Sequence, residues 1–247
     1  MKMFRSNPMK QRGRPTPIPT LCSILFIILI AAFATGQTVQ PIIQEYEGVG
    51  KGSFDVINQG DSPLVVTIAP ESFTVKESGE MWFQSLDPGI HVKLSAMSLR
   101  LGPHETSRVF YTASAEQLPA WFVIYATFGV PPRKEITSLN LRLELPHVVY
   151  LLPKHGGIAK GDLAISAIYD VEKQSIHCTV ENMGGNFGRV MQIQAVGATK
   201  RQDGPSGGVF PHSRRAFEIE WKNPEVPQKV LLQFNNLKVE QTVATKE

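Results

Sequence analysis

Cysteine is scarce in this sequence, and its distribution excludes a fold held together by disulfide bonds. The chain of 247 residues has two cysteines, Cys22 and Cys178. Cys22 lies in an amino-terminal segment that we expect to be removed, which leaves Cys178 without a partner in the same chain. Cys178 alternates with Ile176 and Val180, a pattern that predicts a buried and unreactive side chain. Stability must therefore come from the burial of apolar surface.

Acidic residues are absent from the first 36 positions, which carry five basic residues instead. An apolar run at residues 21–34 follows and ends in small residues, as in a secretory signal peptide. The run of 14 residues is too short for a relaxed helix to cross a hydrocarbon core about 30 Å thick. We predict a signal peptide at residues 1–36, cleaved after Ala34 or Gly36, and export from the cytoplasm. An uncleaved amino-terminal anchor is the alternative.

A strong excess of either charge is missing from the chain that remains after cleavage. Removing the five leader residues from the 25 lysines and arginines leaves 20, against 22 aspartates and glutamates, a net charge of −2. Proteins that bind nucleic acids present a strongly basic surface. The basic residues at 200–201 and 214–215 are better explained as a solvated loop and strand edge. We therefore expect no nucleic-acid partner.

Signals for catalysis and for metal binding are also rare. Residues 204–208 match the pattern around a hydrolase nucleophile at Ser206, but a polar segment precedes the serine and no helix follows it. We interpret residues 200–208 as a mobile, glycine-rich loop. The six histidines are scattered singly, with no pair at i and i+4 and no cluster at the spacing of metal ligands. The sequence therefore predicts a protein that is not an enzyme and has no cofactor or metal.

Long stretches with helical periodicity are absent, and short alternating segments dominate from Gly52 onward. Apolar and polar residues alternate in segments such as 90–94, 163–167 and 176–180, and turns rich in Gly, Pro, Asn and Asp separate them. The pattern predicts an all-β protein in which each half supplies the roughly seven strands of an immunoglobulin-like β-sandwich. A break rich in proline and glycine follows residue 152. We predict an amino-terminal domain at residues 37–154 and a carboxyl-terminal domain at residues 155–247.

The most regular alternation lies at residues 139–145, where four leucines alternate with three polar residues and lead into the apolar residues 148–152. This pattern predicts one long strand. An unpaired edge strand with large apolar side chains can bind a partner strand, but the same pattern also suits a strand that covers its own core. The candidate binding residues are Leu139, Leu141, Leu143 and Leu145.

The order of these segments resembles the PapD-like periplasmic chaperones that assist pilus subunits, over nearly the whole chain after the leader. The matching phrases are residues 54–58 with a Gly-Asp turn after them, 99–109, Leu118-Pro119 before the aromatic segment 121–128, 148–153 and 209–213. The resemblance implies two sandwiches set at an angle, a cleft between them, and a location in the periplasm.

The resemblance also implies a mechanism and partners. A pilus subunit is a sandwich that lacks one strand, and the chaperones of this family lend their long strand to fill the gap, a form of β-strand addition. The implied partners are secreted or pilin-like subunits, with an outer-membrane usher as a further candidate. No membrane span is expected in the mature chain.

The family holds the terminal carboxylate of the subunit with two basic residues in the cleft, and this chain departs from that pattern. The matching position late in the long strand is Val148, and the first strand offers Gln40, Gln44 and Glu45. The nearest candidates for a cleft anchor are His147, Arg142 and Lys154. Without the basic clamp, capture of a subunit should be weaker. A structural or adhesive envelope protein with the same domains and no chaperone activity is the alternative function.

Overall fold

The structure is a computed structural model that describes residues 36–130 and 142–246. In these residues the regular structure is β-strand apart from one short 3-10 turn at Lys160–Asp162. None of the described segments forms a helix of the length and hydropathy that a membrane span requires. Cys22 and residues 1–35 of the predicted signal peptide lie outside the described residues.

Nineteen strands follow one another along the described chain. They are β1 (Gln37–Gln40), β2 (Ile43–Glu47), β3 (Gly50–Asn58), β4 (Leu64–Val75), β5 (Met81–Ser85), β6 (Ile90–Leu94), β7 (Ser98–Leu101), β8 (Thr106–Ala115), β9 (Ala120–Gly129), β10 (Leu143–Leu152), β11 (Leu163–Asp170), β12 (Ser175–Asn182), β13 (Gly188–Val196), β14 (Arg201–Gly204), β15 (Gly207–Val209), β16 (Ser213–Glu220), β17 (Lys229–Phe234), β18 (Lys238–Thr242) and β19 (Ala244–Lys246).

The first ten strands form two sheets. One has the order β1-β3-β8-β6, and the other has the order β2-β10-β9-β4-β5 with β7 paired to β4. Because successive side chains of a strand point to opposite faces, alternate residues of both sheets meet in one core. That core contains Phe54, Phe122, Val149 and Leu151 among other buried side chains.

The first segment of the described chain contributes to both sheets of this sandwich. β1 pairs with β3 in one sheet, and after Pro41 the chain crosses over so that β2 pairs with β10 in the other. The β2–β10 pairing is parallel and begins at Ile43 opposite Val148. Residues of β10 before Val148 therefore have no partner in β2.

The remaining nine strands form a second sandwich. Its sheets have the orders β16-β12-β11-β19 and β14-β13-β17-β18, and β15 pairs with β13. The core between them contains Trp221, whose Nε1 donates a hydrogen bond to the carbonyl oxygen of Glu225 at 2.6 Å. Cys178 lies in the same core, and its burial raises the pKa of the thiol to about 12. The predicted burial of this cysteine is confirmed.

The prediction of a mobile loop at residues 200–208 is wrong. β14 and β15 both pair with β13, so most of this segment belongs to a sheet. The polar, glycine-rich sequence of this segment shows no alternation of apolar and polar residues, so its strands cannot be predicted from the pattern. Close packing requires a glycine at position 204, because a Cβ there would lie 2.7 Å from a side-chain carbon of Ile219 and 2.9 Å from one of Ile193.

The described chain therefore has the predicted fold class, an all-β protein with two immunoglobulin-like sandwiches. Among the described residues, strands β1–β10 pair only with one another, and so do strands β11–β19. The division of the chain into domains at residues 154 and 155 stays a prediction.

Candidate docking strand and interdomain surface

Strand β10 is paired along only part of one of its two edges. On one side it pairs with β9 over its full length, from Leu143 opposite Phe128 to Leu151 opposite Ala120. On the other side β2 covers only Val148 to Leu152. Among the described residues no strand pairs with β10 before Val148 on that second side. We call residues 143–146 on this side the open edge.

The backbone groups that face the open edge follow from the alternation of hydrogen bonds along a strand. The N–H of Val148 donates to the carbonyl oxygen of Ile42 at 2.7 Å, so Val148 faces β2. The backbone groups of Pro146 and Glu144, two and four positions earlier, then face the same side. The open edge therefore presents the N–H and C=O of Glu144 and the C=O of Pro146. Pro146 has no N–H, and its place here leaves the ladder with β9 intact.

Apolar side chains surround the open edge. Leu143 is 37% exposed, and Leu145, two residues later on the same face, packs partly against the core of the first sandwich. Ile42, which immediately precedes β2, is 60% exposed. The predicted binding residues Leu139 and Leu141 lie outside the described residues.

His147 does not fit the expected role of a cleft anchor. Its side chain is fully buried inside the first sandwich and stacks on Phe54 with ring centroids 4.8 Å apart. Nδ1 donates to the carbonyl oxygen of Pro41 at 2.6 Å, so Nε2 is the acceptor for the hydroxyl of Tyr111 at 2.9 Å. Burial lowers the pKa of His147, against the opposing effect of the Pro41 hydrogen bond. This imidazole is a neutral core group because alternation places it on the same face as Val149 and Leu151.

The other two predicted anchors lie at opposite ends of β10. Arg142 immediately precedes the strand and Lys154 follows it by two residues, and both are exposed. A carboxylate bound by an exposed cation competes with water and salt, so neither position has the shelter of a buried anchor. Their role in binding stays a prediction.

Sequence reasoning missed Arg189, a sheltered cation that joins the two sandwiches. Its Nε donates to Glu45 Oε1 at 2.8 Å; Nη2 is equally close to that oxygen but makes no well-aligned hydrogen bond. The side chains of Arg189 and Glu45 are 16% and 29% exposed. The guanidinium carbon lies 4.8 Å from the ring centroid of Tyr150 and 5.5 Å from that of Phe187, within the range of cation–π attraction.

No local pattern in the sequence marks Arg189 as special. It is one arginine in a strand, and its partner Glu45 is 144 positions away in the chain. Burial raises the pKa of the Tyr150 hydroxyl, and the neighbouring guanidinium of Arg189 opposes that rise. The charge on Arg189 is therefore balanced inside the molecule by Glu45.

A cluster of aromatic side chains fills the space beside this ion pair. Phe187 and Phe210 of the second sandwich pack against residues on the outer face of the first. Tyr150 stacks on Phe187 with centroids 4.7 Å apart, and Trp121 meets Phe210 edge-on at 4.6 Å. Such ring pairs each contribute about 0.5–1.5 kcal/mol beyond the area that they bury.

A second contact between the sandwiches is made by the turn that joins β4 to β5. The N–H of Ala216 in β16 donates to the carbonyl oxygen of Glu77 at 2.8 Å, and Arg215 Nη1 lies 3.3 Å from the same oxygen. Two separated contacts restrain the rotation of one sandwich relative to the other more than one contact does.

The described residues also contain no group of three or more potential metal ligands.

Comparison with known proteins finds likeness in structure and not in sequence. No protein-family model matches the chain, and no curated protein matches it. The class 5 fimbriae chaperone CfaA is 15% identical, with 85% of this chain and 99% of that chain covered and a TM-score of 0.52. The YadV chaperone is 12% identical, with 83% and 96% covered and a TM-score of 0.53.

A third structural neighbour comes from the complex between the Salmonella enterica SafA pilin and the SafB chaperone. It is 13% identical, with 84% of this chain and 96% of that chain covered and a TM-score of 0.53. At these identities the likeness establishes the fold, which is the two-sandwich fold of the PapD-like chaperones. It covers almost the whole length of each neighbour.

Proposed function

We propose that this chain, which has the PapD-like two-sandwich fold, is a periplasmic chaperone-like protein that binds pilus or other surface-assembled subunits through β10. The observation that carries this proposal is the open edge at residues 143–146. An incoming strand would extend the sheet there, in line with β2, and pair with the outward groups of Glu144 and Pro146. The protein would act by binding and not by catalysis.

The energetics of the open edge favour a strand as its partner. Each new backbone hydrogen bond would contribute about 0.5–1.5 kcal/mol. Full burial of a leucine is worth about 1.5–3 kcal/mol, so covering the exposed part of Leu143 would add a fraction of that. Leu139, Leu141 and Leu145 would add more if the predicted strand extends before residue 143. The SafB chaperone is solved in complex with a pilin, which is the kind of partner proposed here.

The anchor for the client is the part of this proposal that departs from the family. Arg142 and Lys154 remain candidates, but both are exposed. Arg189 is better sheltered, yet a carboxylate from a client would have to displace Glu45 from it. Because displacement offsets most of the gain, we propose that backbone pairing at the open edge supplies more of the affinity than charge does.

Location in the periplasm follows from the predicted signal peptide at residues 1–36 together with this role. Delivery of a client to an outer-membrane usher is part of the same proposal. The domain limits at residues 37–154 and 155–247 are proposed on the strength of the strand pairing, since each range holds one sandwich.

Co-expression with a candidate pilin-type subunit from the same organism tests the proposal. Affinity purification of the wild-type chain should recover the subunit in a stable complex. Glu144→Pro removes the outward N–H of the open edge and leaves the pairing with β9 in place, and Leu143→Glu adds a charge beside it. Each should reduce recovery by about tenfold, the effect of losing about 1.4 kcal/mol.

Phe110→Glu is the matched control for these variants. Phe110 is 59% exposed on β8, in the other sheet of the same sandwich. Its recovery of the subunit should equal that of the wild type. Undiminished recovery by folded Glu144→Pro and Leu143→Glu proteins would refute binding through the open edge.

One observation favours the alternative of a structural or adhesive envelope protein. The sheltered cation Arg189 is already neutralised by Glu45, which suits a molecule that holds its two sandwiches together and delivers nothing. Under that alternative the chain would be found in the assembled surface structure. Under the proposed function it would be found in the periplasm and be absent from the finished fibre.

A further inference from the structure

Strand β5 forms the other edge of the sheet that contains β10, and it is unusually apolar for an edge. Met81, Trp82 and Phe83 follow one another and are 47%, 56% and 41% exposed. Within the described residues β5 pairs with β4 alone. Edge strands of soluble proteins are normally protected by charges, prolines or bulges, and Met81–Ser85 contains none of these.

The outward backbone groups of β5 belong to Met81, Phe83 and the last residue of the strand, Ser85. At the hairpin the N–H of Lys76 donates to the carbonyl oxygen of Glu80 at 2.9 Å, which makes these two a hydrogen-bonded pair. Alternation then makes Thr74 opposite Trp82 the next hydrogen-bonded pair. Met81 and Phe83 consequently direct their N–H and C=O groups away from β4. The carbonyl oxygen of Phe73, opposite Phe83, accepts instead from Trp121 Nε1 at 2.8 Å.

Part of this edge is already ordered by its own neighbours. Phe83 meets Tyr125 edge-on with ring centroids 5.3 Å apart, and it lies 6.1 Å from Phe73. Lys76 Nζ sits 4.2 Å above the ring of Trp82 and 2.9 Å from Glu80. The side chains are therefore held in place before any partner arrives, which lowers the entropic cost of binding.

Acidic cavities lie at both ends of β5. Beside the hairpin turn, Glu77 and Ser78 line a cavity of about 450 Å³ together with Glu218, His177 and Ala216. At the far end, a cavity of about 510 Å³ is lined by Asp87, Glu116 and Gln84, among other residues, and by no lysine or arginine. Three basic groups lie near the turn: Lys76 is paired with Glu80, Arg214 is paired with Glu181, and Arg215 donates to the Glu77 carbonyl oxygen.

We propose that β5 is a second docking strand, which takes an extended segment of a partner protein with an apolar centre and basic residues at both ends. The centre would pair with Met81 and Phe83, and the basic ends would enter the two acidic cavities. This surface is at the opposite edge of the sheet from the open edge of β10. The proposal therefore stands independently of the function proposed above.

The charges also argue against a second copy of this chain as the occupant. Antiparallel pairing of two β5 strands would bring the turn of one copy, with Glu77, beside Asp87 of the other. Like charges placed opposite one another across strands are destabilising. A segment with basic ends would instead place positive charges beside acidic side chains at both ends of β5.

A synthetic peptide tests the proposal on the full chain after removal of the leader. The probe has three valines alternating with two threonines, two lysines at each end and blocked termini. The readout is hydrogen exchange at individual amides, followed by nuclear magnetic resonance. We expect the probe to slow exchange at Met81 and Phe83 by about tenfold or more. Exchange at Trp82 and Gln84 should change little, because those amides already bond to β4.

Two variants and one control peptide complete the experiment. Met81→Pro removes one outward N–H without touching the β4 ladder, and it should weaken binding of the probe by about tenfold. Glu144→Pro, at the open edge of β10, should leave the affinity unchanged. The same peptide with glutamates in place of the lysines should bind at least about tenfold more weakly.

Three results would overturn the proposal. The first is protection that appears at Glu144 and not at Met81 and Phe83. The second is equal binding of the lysine-ended and glutamate-ended peptides. The third is concentration-dependent dimerisation of the free chain that protects Met81 and Phe83 without any peptide, which would identify a second copy as the occupant.

Discussion

The imidazole of His147 donates a 2.6 Å hydrogen bond to the carbonyl oxygen of Pro41, the residue at which the chain crosses from one sheet of the first sandwich to the other. The same ring accepts a hydrogen bond from the Tyr111 hydroxyl, and Tyr111 in turn accepts one from Tyr46 at 3.0 Å. β10 is thereby tied to the crossing point of β1 and β2. That crossing is what leaves residues 143–146 of β10 without a partner.

Replacing His147 with phenylalanine should destabilise the first sandwich. The variant keeps the ring that stacks on Phe54 but removes the hydrogen bond to the Pro41 carbonyl oxygen and one of the two hydrogen bonds of the Tyr111 hydroxyl, which keeps Tyr46. Each lost hydrogen bond contributes about 0.5–1.5 kcal/mol, so the free energy of unfolding should fall by about 1–3 kcal/mol, which urea unfolding would measure. His91→Phe, at an exposed position of β6, is the control and should change the unfolding free energy by less than about 0.5 kcal/mol.

The stability of the chain should depend on pH through His147. Burial holds the pKa of this imidazole below its usual value of 6.5, so the unfolded chain takes up a proton first as the pH falls. The contribution of the neutral imidazole is thus fully present above about pH 6.5 and decreases as the pH drops towards the folded-state pKa. Urea unfolding between pH 7.5 and pH 5 would measure this loss, and the His147→Phe variant should show less of it. An identical pH profile in the variant would contradict the assignment.

Arg189→Ala should destabilise the contact between the sandwiches. The substitution leaves Glu45 partly buried without its counter-charge and removes the cation from the Tyr150 ring, and we expect a loss of about 1–3 kcal/mol. A double-mutant cycle with Glu45→Gln would isolate the pair. The exposed pair Arg214–Glu181 is the control, and its coupling energy should be below about 1 kcal/mol. Equal coupling in the two pairs would argue against a special role for Arg189.

Gly52→Ala should break the link between Tyr46 and Tyr111. A Cβ on Gly52 would collide with the Tyr46 hydroxyl and lie 3.0 Å from that of Tyr111. Both rings must shift, and overpacking of this kind costs about 1–3 kcal/mol. Gly161→Ala is the control, since a Cβ there meets nothing within 4 Å. A thermal unfolding temperature as high in Gly52→Ala as in the control would refute this account of the close approach.

The sequence predicted those features that depend on local alternation. The leucine pattern before residue 146 and the apolar residues after it predicted one long strand, and β10 runs unbroken through Pro146 in the described part. Cys178 was placed in a core by its alternation with Ile176 and Val180. The same pattern indicates burial of His147, because it alternates with Val149 and Leu151, but a polar side chain at this position was interpreted as a binding residue.

The rest of the candidate site depends on contacts between distant residues. Whether β10 has an open edge is decided by where β2 begins, and that is set by the crossing at Pro41. Arg189 gains its shelter from Glu45 and Tyr150, which are remote in the chain. β5 was missed because three consecutive large apolar residues give no alternation, and only the sheet shows that its outward side is unpaired.

The crossing at Pro41 also sets the order in which the first sandwich can be completed. β1 can pair with β3 as soon as residues 37–58 are available, but β2 can pair only when Val148 to Leu152 of β10 are available. A chain that emerges from its amino end therefore keeps that layer unfinished until the last strand has arrived. Truncation before residue 148 would leave β2 without a partner strand, and we expect that neither sheet of the first sandwich would then form.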